Sequence, residues 1–347
     1  MKSASRKSCG VTVQNWETAM RKIRSVASIL AAVIFCAIAA SGAVAAEADW
    51  PNRSVRVIIP WAVGGGSDPL ARVIFDDLAI RLGQPFPLEF RPGASGTIGA
   101  AAFAKSRPDG YTVLFTTGPP AVNANFMPNV AYDPKTDILP VVQVVSTPSY
   151  IVAYAKTPYN TFRELIEYAK ANPGKVNAAI SGIGSQSELN ASLVQYKTGV
   201  KFQIVPYGGA GAQLANLMAG TVDLGFGLAT GFLSAVKSGK LKFIASLSAK
   251  RFANLPDVPA SDESPYKGIH DTSWFVAFVP KGTPRTIIDK MNAEIRTTIN
   301  KPGVKEKIEG LNYEIMTGSP EDAAALIKSD TDQIKKLLDA GVMKAVE

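Results

Sequence analysis

Cysteine and histidine, the residues most often used for thiol chemistry and for binding zinc, are almost absent from this sequence. Its 347 residues include two cysteines, Cys9 and Cys36, and one histidine, His270. A zinc site draws its ligands mainly from these two residue types, so the composition argues against one. The residues are 46% hydrophobic, enough to bury one large core or two moderate ones without disulfides.

The motifs of nucleotide-binding proteins and of common hydrolases are also missing. No GxxxxGK[ST] sequence occurs, and Gly182-Ile183-Gly184 lacks the third glycine of a dinucleotide fingerprint because position 187 is serine. No GxSxG elbow occurs, and His270 lies in a polar loop, where a lone histidine is typically solvated. We therefore expect no cofactor, no bound metal, no catalytic residues and no enzyme activity.

The first 46 residues have the pattern of a leader. A basic run, RKIR at 21–24, precedes an uncharged stretch, 25–46, that ends in the small residues SGAVAA. This arrangement is typical of a secretory signal peptide. We predict cleavage after Ala45 or Ala46 and export to the periplasm, with Met20 as an alternative start. An uncleaved membrane anchor is the other interpretation, because the stretch is long enough to span a bilayer.

Removal of this leader changes the charge and the cysteine content. The leader holds both cysteines, six of the 37 basic residues and one of the 29 acidic residues. The remaining chain has 31 basic and 28 acidic residues, a net charge of +3 instead of +8. A charge this small gives no support for a nucleic-acid partner, and we expect none.

Short apolar runs alternate with amphipathic segments after the leader. Val55–Pro60 predicts a strand, and the segment around Pro69–Leu82 predicts a helix. Further strands are predicted at Pro87–Phe90, Thr112–Phe115, Val176–Ile180, Phe202–Pro206 and Val222–Gly227. Helix starts are predicted at Thr161, which opens a capping box, and at Thr283-Pro284 and Ser319-Pro320. This alternation predicts an α/β fold with parallel sheets.

Two similar segments bear on the domain layout. Tyr150–Pro158 and Trp274–Pro284 are both aromatic-rich strands that lead into a Thr-Pro sequence. We interpret them as crossover strands between two domains, an arrangement that suits closure around a ligand. The alternative is that two strand–helix junctions simply look alike.

The glycine-rich segment PWAVGGGSDP at 60–69 is the first predicted ligand loop. Its three consecutive glycines precede a helix, with Ser67 or Asp68 predicted as the cap and Pro69 at the first helical position. Free N–H groups and the positive dipole end make a helix N-terminus suitable for a carboxylate. Asp68 is better suited to capping than to contacting an anion. The alternative, a plain tight turn, would explain only one or two of the glycines.

Three other segments resemble the first. Ser181–Ser187 and Pro206–Gly211 each lie between a predicted strand and a predicted helix, and Arg91–Gly99 is interpreted as a loop on the rim. The carboxyl ends of strands line the ligand crevice in open α/β sheets, so we expect these turns to converge.

An ordered set of short motifs extends through the chain. They are PWAVGGGSD at 60–68, RPGASGTIGA at 91–100, RPDGYT at 107–112, NPG at 172–174, SGIGS at 181–185, VPYGGAG at 205–211, LPDVP at 255–259, and Trp274 with GTP at 282–284. In this order they resemble the receptors of tripartite tricarboxylate transporters, the Bug-type solute-binding proteins. The resemblance covers nearly the whole chain after the leader.

The resemblance implies a type II periplasmic binding protein fold, in which two α/β domains are joined by two crossover strands and enclose a ligand cleft. Residues 1–46 are then the signal peptide, 47–148 with 274–347 form domain 1, and 149–273 form domain 2. Loop N–H groups and hydroxyls are expected to hold a small carboxylate. The predicted ligand-binding residues are Pro60, Trp61, Ala62, Gly64, Gly65, Gly66, Ser67, Asp68, Thr116, Thr117, Ser181, Gly182, Gly184, Ser185, Gln186, Pro206 and Tyr207.

The resemblance also implies partners. A monomeric receptor would deliver its ligand to a small and a large membrane subunit that use an ion gradient. A di- or tricarboxylate, an amino acid and an aromatic acid remain open, because Phe90, Gly208, Ser187-Glu188 and Ala260 depart from the family's usual residues. Two alternatives are a periplasmic ligand sensor for signalling and a hydrolase that uses Ser67 or Ser185.

Overall fold

The structure of the protein, a computed structural model, describes residues 50–341. The predicted leader, with both expected cleavage sites, lies outside the described residues. Among the helices of the described part, none combines the length and the apolar character needed to cross a membrane.

The described strands divide between two sheets. They are β1 (Arg56–Ile59), β2 (Leu88–Phe90), β3 (Thr112–Thr116), β4 (Ile138–Pro148), β5 (Tyr150–Tyr154), β6 (Asn177–Ile180), β7 (Gln203–Pro206), β8 (Leu224–Gly227), β9 (Leu241–Ser246), β10 (Thr272–Pro280) and β11 (Glu314–Ile315). The first sheet has the order β11-β4-β10-β3-β1-β2, and the second has the order β7-β6-β8-β5-β9.

Helices connect most of these strands. They are α1 (Ser67–Leu82), α2 (Thr97–Ala104), α3 (Phe162–Ala171), α4 (Gln186–Thr198), α5 (Ala210–Ala219), α6 (Ala229–Lys237), α7 (Arg285–Ile299), α8 (Pro302–Gly310) and α9 (Pro320–Asp339). We call the first sheet with α1, α2 and α7–α9 the first lobe, and the second sheet with α3–α6 the second lobe.

Each sheet has three parallel strands on one side and antiparallel strands on the other. In the first sheet β1 pairs in parallel with β2 and β3, whereas β10 is antiparallel to β3 and β4. In the second, β6 pairs in parallel with β7 and β8, whereas β5 is antiparallel to β8 and β9. The α/β class is confirmed, and the expected parallel pairing holds for three strands of each sheet. β5 and β10 enter from the edge where the parallel strands end, and so run in the opposite direction.

The chain passes between the two lobes at Ser149 and Asp271. Ser149 is the single residue between β4 and β5, and Asp271 is the residue immediately before β10. The Ser149 N–H donates to the Asp271 carbonyl at 3.0 Å, and the N–H groups of Asp271 and Leu247 donate to the carbonyls of Leu247 and Ser149 at 2.9 and 2.7 Å. β5 and β10 each lie in a single sheet, so the crossings are these junction residues rather than the strands themselves. The division into domains 47–148 with 274–347 and 149–273 stays a proposal.

Of the four predicted helix starts, two follow their local sequence signals and two do not. Thr161 accepts a hydrogen bond from the N–H of Glu164 at 3.2 Å, and Ser319 and Asp322 form a reciprocal capping box before α9. The prediction of Pro284 at the first helical position of α7 is wrong by one residue. Pro284 has an extended backbone and is the N-cap, so the helix begins at Arg285. The other exception is α1, which belongs to the site.

Apolar faces of the helices cover both sheets. In α1 the buried residues Leu70, Ala71, Ile74, Phe75 and Leu78 recur at the helical period and face the first sheet. α1 also packs against α7. The carboxyl ends of β1 and β3 are thereby fixed, and the loops that follow them are supported by a rigid scaffold.

Candidate functional site

The loop between β1 and α1 closes on itself through an aspartate. Gly64 has φ +80°, a conformation that glycine adopts readily, and its N–H donates to Asp68 Oδ2 at 3.0 Å. Asp68 Oδ1 accepts from Arg72 Nε at 2.8 Å. The expectation that Ser67 or Asp68 caps the helix is wrong, because Gly66 is already the N-cap with helical dihedrals and no side-chain cap bond forms. The Asp68 carboxylate instead holds the loop in shape.

Donors without an acceptor are concentrated where α1 begins. Ser67 is 4% exposed, and its hydroxyl has no hydrogen-bond partner among the described residues. Within residues 50–341 the N–H groups of Gly66 and Ser67 also have no acceptor. Buried polar groups normally have partners, and the first N–H groups of a helix find none within it. These donors, at the positive end of a 16-residue helix, form an anion-binding arrangement.

The end of β3 supports this loop from beneath. Trp61 Nε1 donates to the fully buried Thr116 hydroxyl at 3.1 Å. A Cβ added to Gly96 would lie 3.4 Å from the Trp61 ring and 2.8 Å from Pro120. The Arg91–Gly99 segment therefore packs directly against the first loop, as expected of a segment on the rim. Thr117 is half-buried immediately after Thr116, and the structure gives it no contact with the first loop.

Leu228 and Thr230 of the second lobe and Tyr313 of the first lobe approach the first loop closely. A Cβ added to Gly66 would lie 2.8 Å from Thr230 Oγ1, 3.1 Å from the Tyr313 hydroxyl and 3.3 Å from Leu228. Tyr313 donates to the Gly66 carbonyl at 3.1 Å, and burial raises its pKa to about 12, so it remains a neutral donor. Thr230 and Leu228 follow β8, and Gly66 follows β1. Loops at the carboxyl ends of both sheets thus meet at the start of α1.

The second predicted loop is held mainly by its own side chains. Ser187 accepts from the Ser181 N–H at 2.8 Å, and its hydroxyl lies 3.0 and 2.8 Å from those of Ser181 and Ser185. Ser185 caps α4, and Glu188 accepts the Gly184 N–H at 2.7 Å. Burial raises the pKa of Glu188, and the Gly184 bond opposes that rise. The serine hydroxyls are engaged within the loop rather than presented free.

This second loop nevertheless contacts the first lobe. Ser95 donates to the Ile183 carbonyl at 2.9 Å, and a Cβ on Gly184 would lie 3.0 Å from the sulfur of Met127. A Cβ on Gly118 would lie 3.5 Å from the Gln186 amide oxygen. Gly182 lies near both Ser95 and the carbonyl of Tyr207. The loops after β2, β3 and β6 therefore form one continuous surface between the sheets.

Some of the predicted ligand-binding residues lie beside this surface, and others are exposed to solvent. The Tyr207 N–H donates to the Ile180 carbonyl at 2.9 Å, which places Tyr207 beside the second loop. Pro206, at the end of edge strand β7, is exposed, and Ala62 and Gly64 are also exposed. Gly65 is half-buried, and its N–H donates to the Ala62 carbonyl at 3.3 Å.

Several residues at this surface were absent from the prediction. Leu228 directly follows β8 and Thr230 is the second residue of α6, the same strand-to-helix position as the predicted loops, so the strand-end rule could have identified them. Tyr313 and Asp271 reach the site from distant parts of the chain, and no local pattern marks them.

The chemistry of the surface is that of neutral donors. Among the described residues, Arg72, paired with Asp68, is the one basic side chain that forms a hydrogen bond or ion pair with the two loops. No described hydrogen bond joins Ser67 or Ser185 to a histidine or carboxylate base, and His270 pairs with Asp262 at 3.0 Å. In the described part of the chain no group of three or more His, Cys, Asp or Glu could hold a metal ion. The arrangement suits binding of an anion rather than proton transfer.

Comparison with known proteins shows which family the chain resembles. The model of the family described as tripartite tricarboxylate transporter family receptor matches residues 70–342. Protein BugT of Bordetella pertussis is 33% identical over 313 residues, which cover 90% of this chain and 94% of BugT.

Solved structures of similar proteins share the fold. The periplasmic binding protein BugD is 34% identical, with a TM-score of 0.77 over 84% of this chain and 99% of BugD. Rpa4515 of R. palustris, determined with adipate, is 29% identical with a TM-score of 0.79 over 84% of this chain and 97% of that one. MatC of Rhodopseudomonas palustris, with bound malate, is 29% identical with a TM-score of 0.76 over 83% of this chain and 100% of that one.

Proposed function

Because this chain belongs to the family of tripartite tricarboxylate transporter receptors, we propose that it is a periplasmic receptor that captures a small carboxylate between its two sheets. The loop after β1 holds the carboxylate by main-chain N–H groups and a hydroxyl, and the loops after β6 and β8 close over it. The receptor then delivers its ligand, as a monomer, to a small and a large membrane subunit.

One observation carries the proposal: the Ser67 hydroxyl is buried and has no partner among the described residues. Leaving such a group unpaired costs roughly 1–3 kcal/mol. A bound carboxylate oxygen would satisfy it together with the N–H groups of Gly66 and Ser67. The helix dipole favours the same charge. No basic side chain is needed for recognition.

The ligand class follows from the closeness of the two lobes and from the similar structures. Malate and adipate, the ligands of MatC and Rpa4515, are both short dicarboxylates. Thr230, Tyr313 and Leu228 all come within 3.3 Å of a Cβ placed on Gly66, a closeness that suits a compact acid. We propose a C4–C6 dicarboxylate as the preferred ligand, with tricarboxylates, amino acids and aromatic acids as the alternatives.

A thermal-shift panel tests the carboxylate assignment. The mature protein is first unfolded, dialysed and refolded to remove any ligand carried through purification. It is then titrated with malate, adipate, citrate, benzoate and glutamate, and with adipamide, the neutral diamide, as the matched control. A ligand at 100 times its Kd stabilises the folded state by about 2.7 kcal/mol, so true ligands raise the Tm with dose. A response to adipamide or sugars, and none to the acids, would refute the assignment.

Transfer to a membrane complex needs its own test. The receptor loaded with radiolabelled dicarboxylate is added to vesicles that contain the small and the large membrane subunit of a tripartite tricarboxylate transporter from the same organism. Uptake should depend on the receptor and on an ion gradient. Tight binding without uptake would instead support a sensor.

A further inference from the structure

We propose that Asp271 is a positioning residue that couples closure of the two lobes to uptake of a proton, so that the receptor binds its solute more tightly as the pH falls. The measurement of ligand affinity rests on the proposed function, whereas a second measurement, of the closed population of the ligand-free protein, needs no ligand.

Asp271 lies at one of the two points where the chain crosses between the lobes. Its backbone is hydrogen-bonded to Ser149, at the other crossing, and to Leu247. Its side chain bonds the same junction: Oδ2 accepts from the Ser149 hydroxyl at 2.6 Å, and that hydroxyl lies 3.2 Å from Ser273 Oγ. The carboxylate therefore ties together both connections between the sheets.

The second carboxylate oxygen reaches the solute site. Oδ1 accepts from Gln186 Nε2 at 2.7 Å, and Gln186 is the first residue of α4, directly after the second loop. The same amide faces Gly118 of the first lobe. Asp271 thus joins the hinge to the loop that closes over the ligand.

The surroundings of Asp271 come from both lobes. From the second lobe, α4 contributes Gln186 and the fully buried Asn190. From the first, α9 contributes Asp330, which accepts the Trp274 indole N–H at 2.6 Å. α4 and α9 pack against each other. Separation of the lobes therefore removes part of the cover over Asp271 and hydrates its carboxyl group.

The charged groups nearby favour a proton on Asp271 in the closed form. Burial raises the pKa of Asp271 to about 7, and the negative charge of Asp330 adds to the rise, whereas hydrogen bonds from Ser149 and Gln186 oppose it. Burial also raises the pKa of Asp330. The other titratable neighbours are engaged elsewhere: Glu188 of α4 binds the Gly184 N–H, and His270 pairs with Asp262. No cation offsets the charge among the described contacts of Asp271.

The direction of the effect follows from linkage. A carboxyl group whose pKa is higher in the closed form than in the hydrated open form takes up a proton on closing. A solute that binds the closed form is then bound more tightly at low pH, and the gain is lost as the pH rises through about 7. Malate and adipate are ionised above pH 7, and the fraction protonated at pH 6 would weaken binding, so titration of the ligand cannot produce tighter binding at low pH.

The test measures the Kd for adipate or malate between pH 6 and pH 8 by isothermal titration calorimetry. The wild type should bind at least about threefold more tightly at pH 6, with proton uptake visible as a dependence on buffer ionisation heat. Asp271→Asn keeps the shape and the acceptor for Gln186 but has no titration, and its Kd should be independent of pH. Asp330→Asn keeps the bond from Trp274 and removes a negative charge, so it should shift the midpoint to lower pH.

His270 provides the matched control because it directly precedes Asp271 and is the one histidine in the sequence. His270→Gln should retain the full pH dependence. Loss of the trend in His270→Gln, its survival in Asp271→Asn, or a pH-independent wild type would each overturn the inference. Circular dichroism and the Tm establish that each variant is folded.

A second arm decides the matter if no carboxylate binds, which would refute the proposed function alone. Spin labels are attached to cysteines introduced at the exposed positions Ile80 and Tyr196, in α1 and α4, of the mature, cysteine-free chain. The ligand-free protein should show a larger closed population at pH 6 than at pH 8. Asp271→Asn should show no change between the two. Identical distance distributions in the wild type at both pH values would overturn the inference.

Discussion

The hydroxyl of Ser95 donates a hydrogen bond to the carbonyl oxygen of Ile183 at 2.9 Å and so connects the two lobes. Ser95 follows β2 of the first sheet, and Ile183 follows β6 of the second. The backbone around Ser95 is strained, with φ +51° at Ser95 and +45° at Ala94. A left-handed conformation costs a residue with a side chain roughly 1–2 kcal/mol. Such strain persists where surrounding contacts hold it, and here it presents the hydroxyl to the other lobe.

Ser95→Ala should therefore weaken solute binding about two- to tenfold, because a hydrogen bond contributes roughly 0.5–1.5 kcal/mol and this one exists only when the lobes meet. The Tm of the ligand-free protein should change little. Calorimetric titration with the best acid of the panel measures the effect. Ser234→Ala, at an exposed position in α6, is the control. Unchanged affinity in Ser95→Ala would mean that this contact does not belong to the ligand-bound form.

Ser67→Ala should separate binding from stability. Removal of a buried hydroxyl without a partner relieves a desolvation cost, so the free energy of unfolding should stay the same or rise. Affinity for a carboxylate should fall about tenfold or more, because a hydrogen bond to a charged group is worth roughly 1.5–3 kcal/mol. Urea unfolding and calorimetry measure the two quantities.

Thr298 supplies a matched control for Ser67. Its hydroxyl is also buried without a partner among the described residues, but it lies in α7, away from the loops. Thr298→Val should stabilise the protein and leave the Kd unchanged. If Ser67→Ala retained full affinity, the start of α1 would not be the carboxylate site.

The sequence alone was sufficient to predict most of the features that depend on neighbouring residues. The cap at Thr161 and the capping box at Ser319 involve residues three positions apart, although the Glu164 carboxylate accepts the N–H of Asn160 and so does not complete the box predicted at Thr161. The glycine loops lie directly after their strands. Both features are local, so a pattern in the sequence reports them. The α1 cap failed even at this range, because Asp68 has two local partners, Gly64 and Arg72, that compete with capping.

Contacts between distant segments could not be predicted in the same way. Asp271 meets Ser149 and Gln186 across 122 and 85 residues, and Tyr313 meets Gly66 across 247. The directions of β5 and β10 depend on where the chain re-enters each sheet. No single residue type or spacing encodes these pairings, because they arise from the packing of whole elements.

The pair Trp61 and Thr116 offers a test of the support beneath the first loop. Trp61→Phe removes the donor to a fully buried hydroxyl and should lower the free energy of unfolding by about 1–3 kcal/mol. Thr116→Val removes the acceptor. The double variant should lose less stability than the two single losses together, because replacing both partners leaves no polar group unpaired. Additive losses in urea unfolding would show that the bond does not contribute.

Gly66 is the position where a methyl group should block closure without disturbing the fold. Its backbone is helical, φ −57°, so alanine fits the loop, yet the new Cβ would lie 2.8 Å from Thr230 Oγ1. Gly66→Ala should therefore fold with a Tm near that of the wild type but bind adipate or malate at least tenfold more weakly, since the lobes cannot meet at the start of α1. Gly211→Ala is the control, because a Cβ there contacts nothing within 4 Å. Thr230→Ser keeps an Oγ at this position and should not restore binding to Gly66→Ala, whereas Thr230→Ala removes the clashing atom and should recover binding. If Gly66→Ala bound as tightly as Gly211→Ala, the lobes would not close at this point in the bound form.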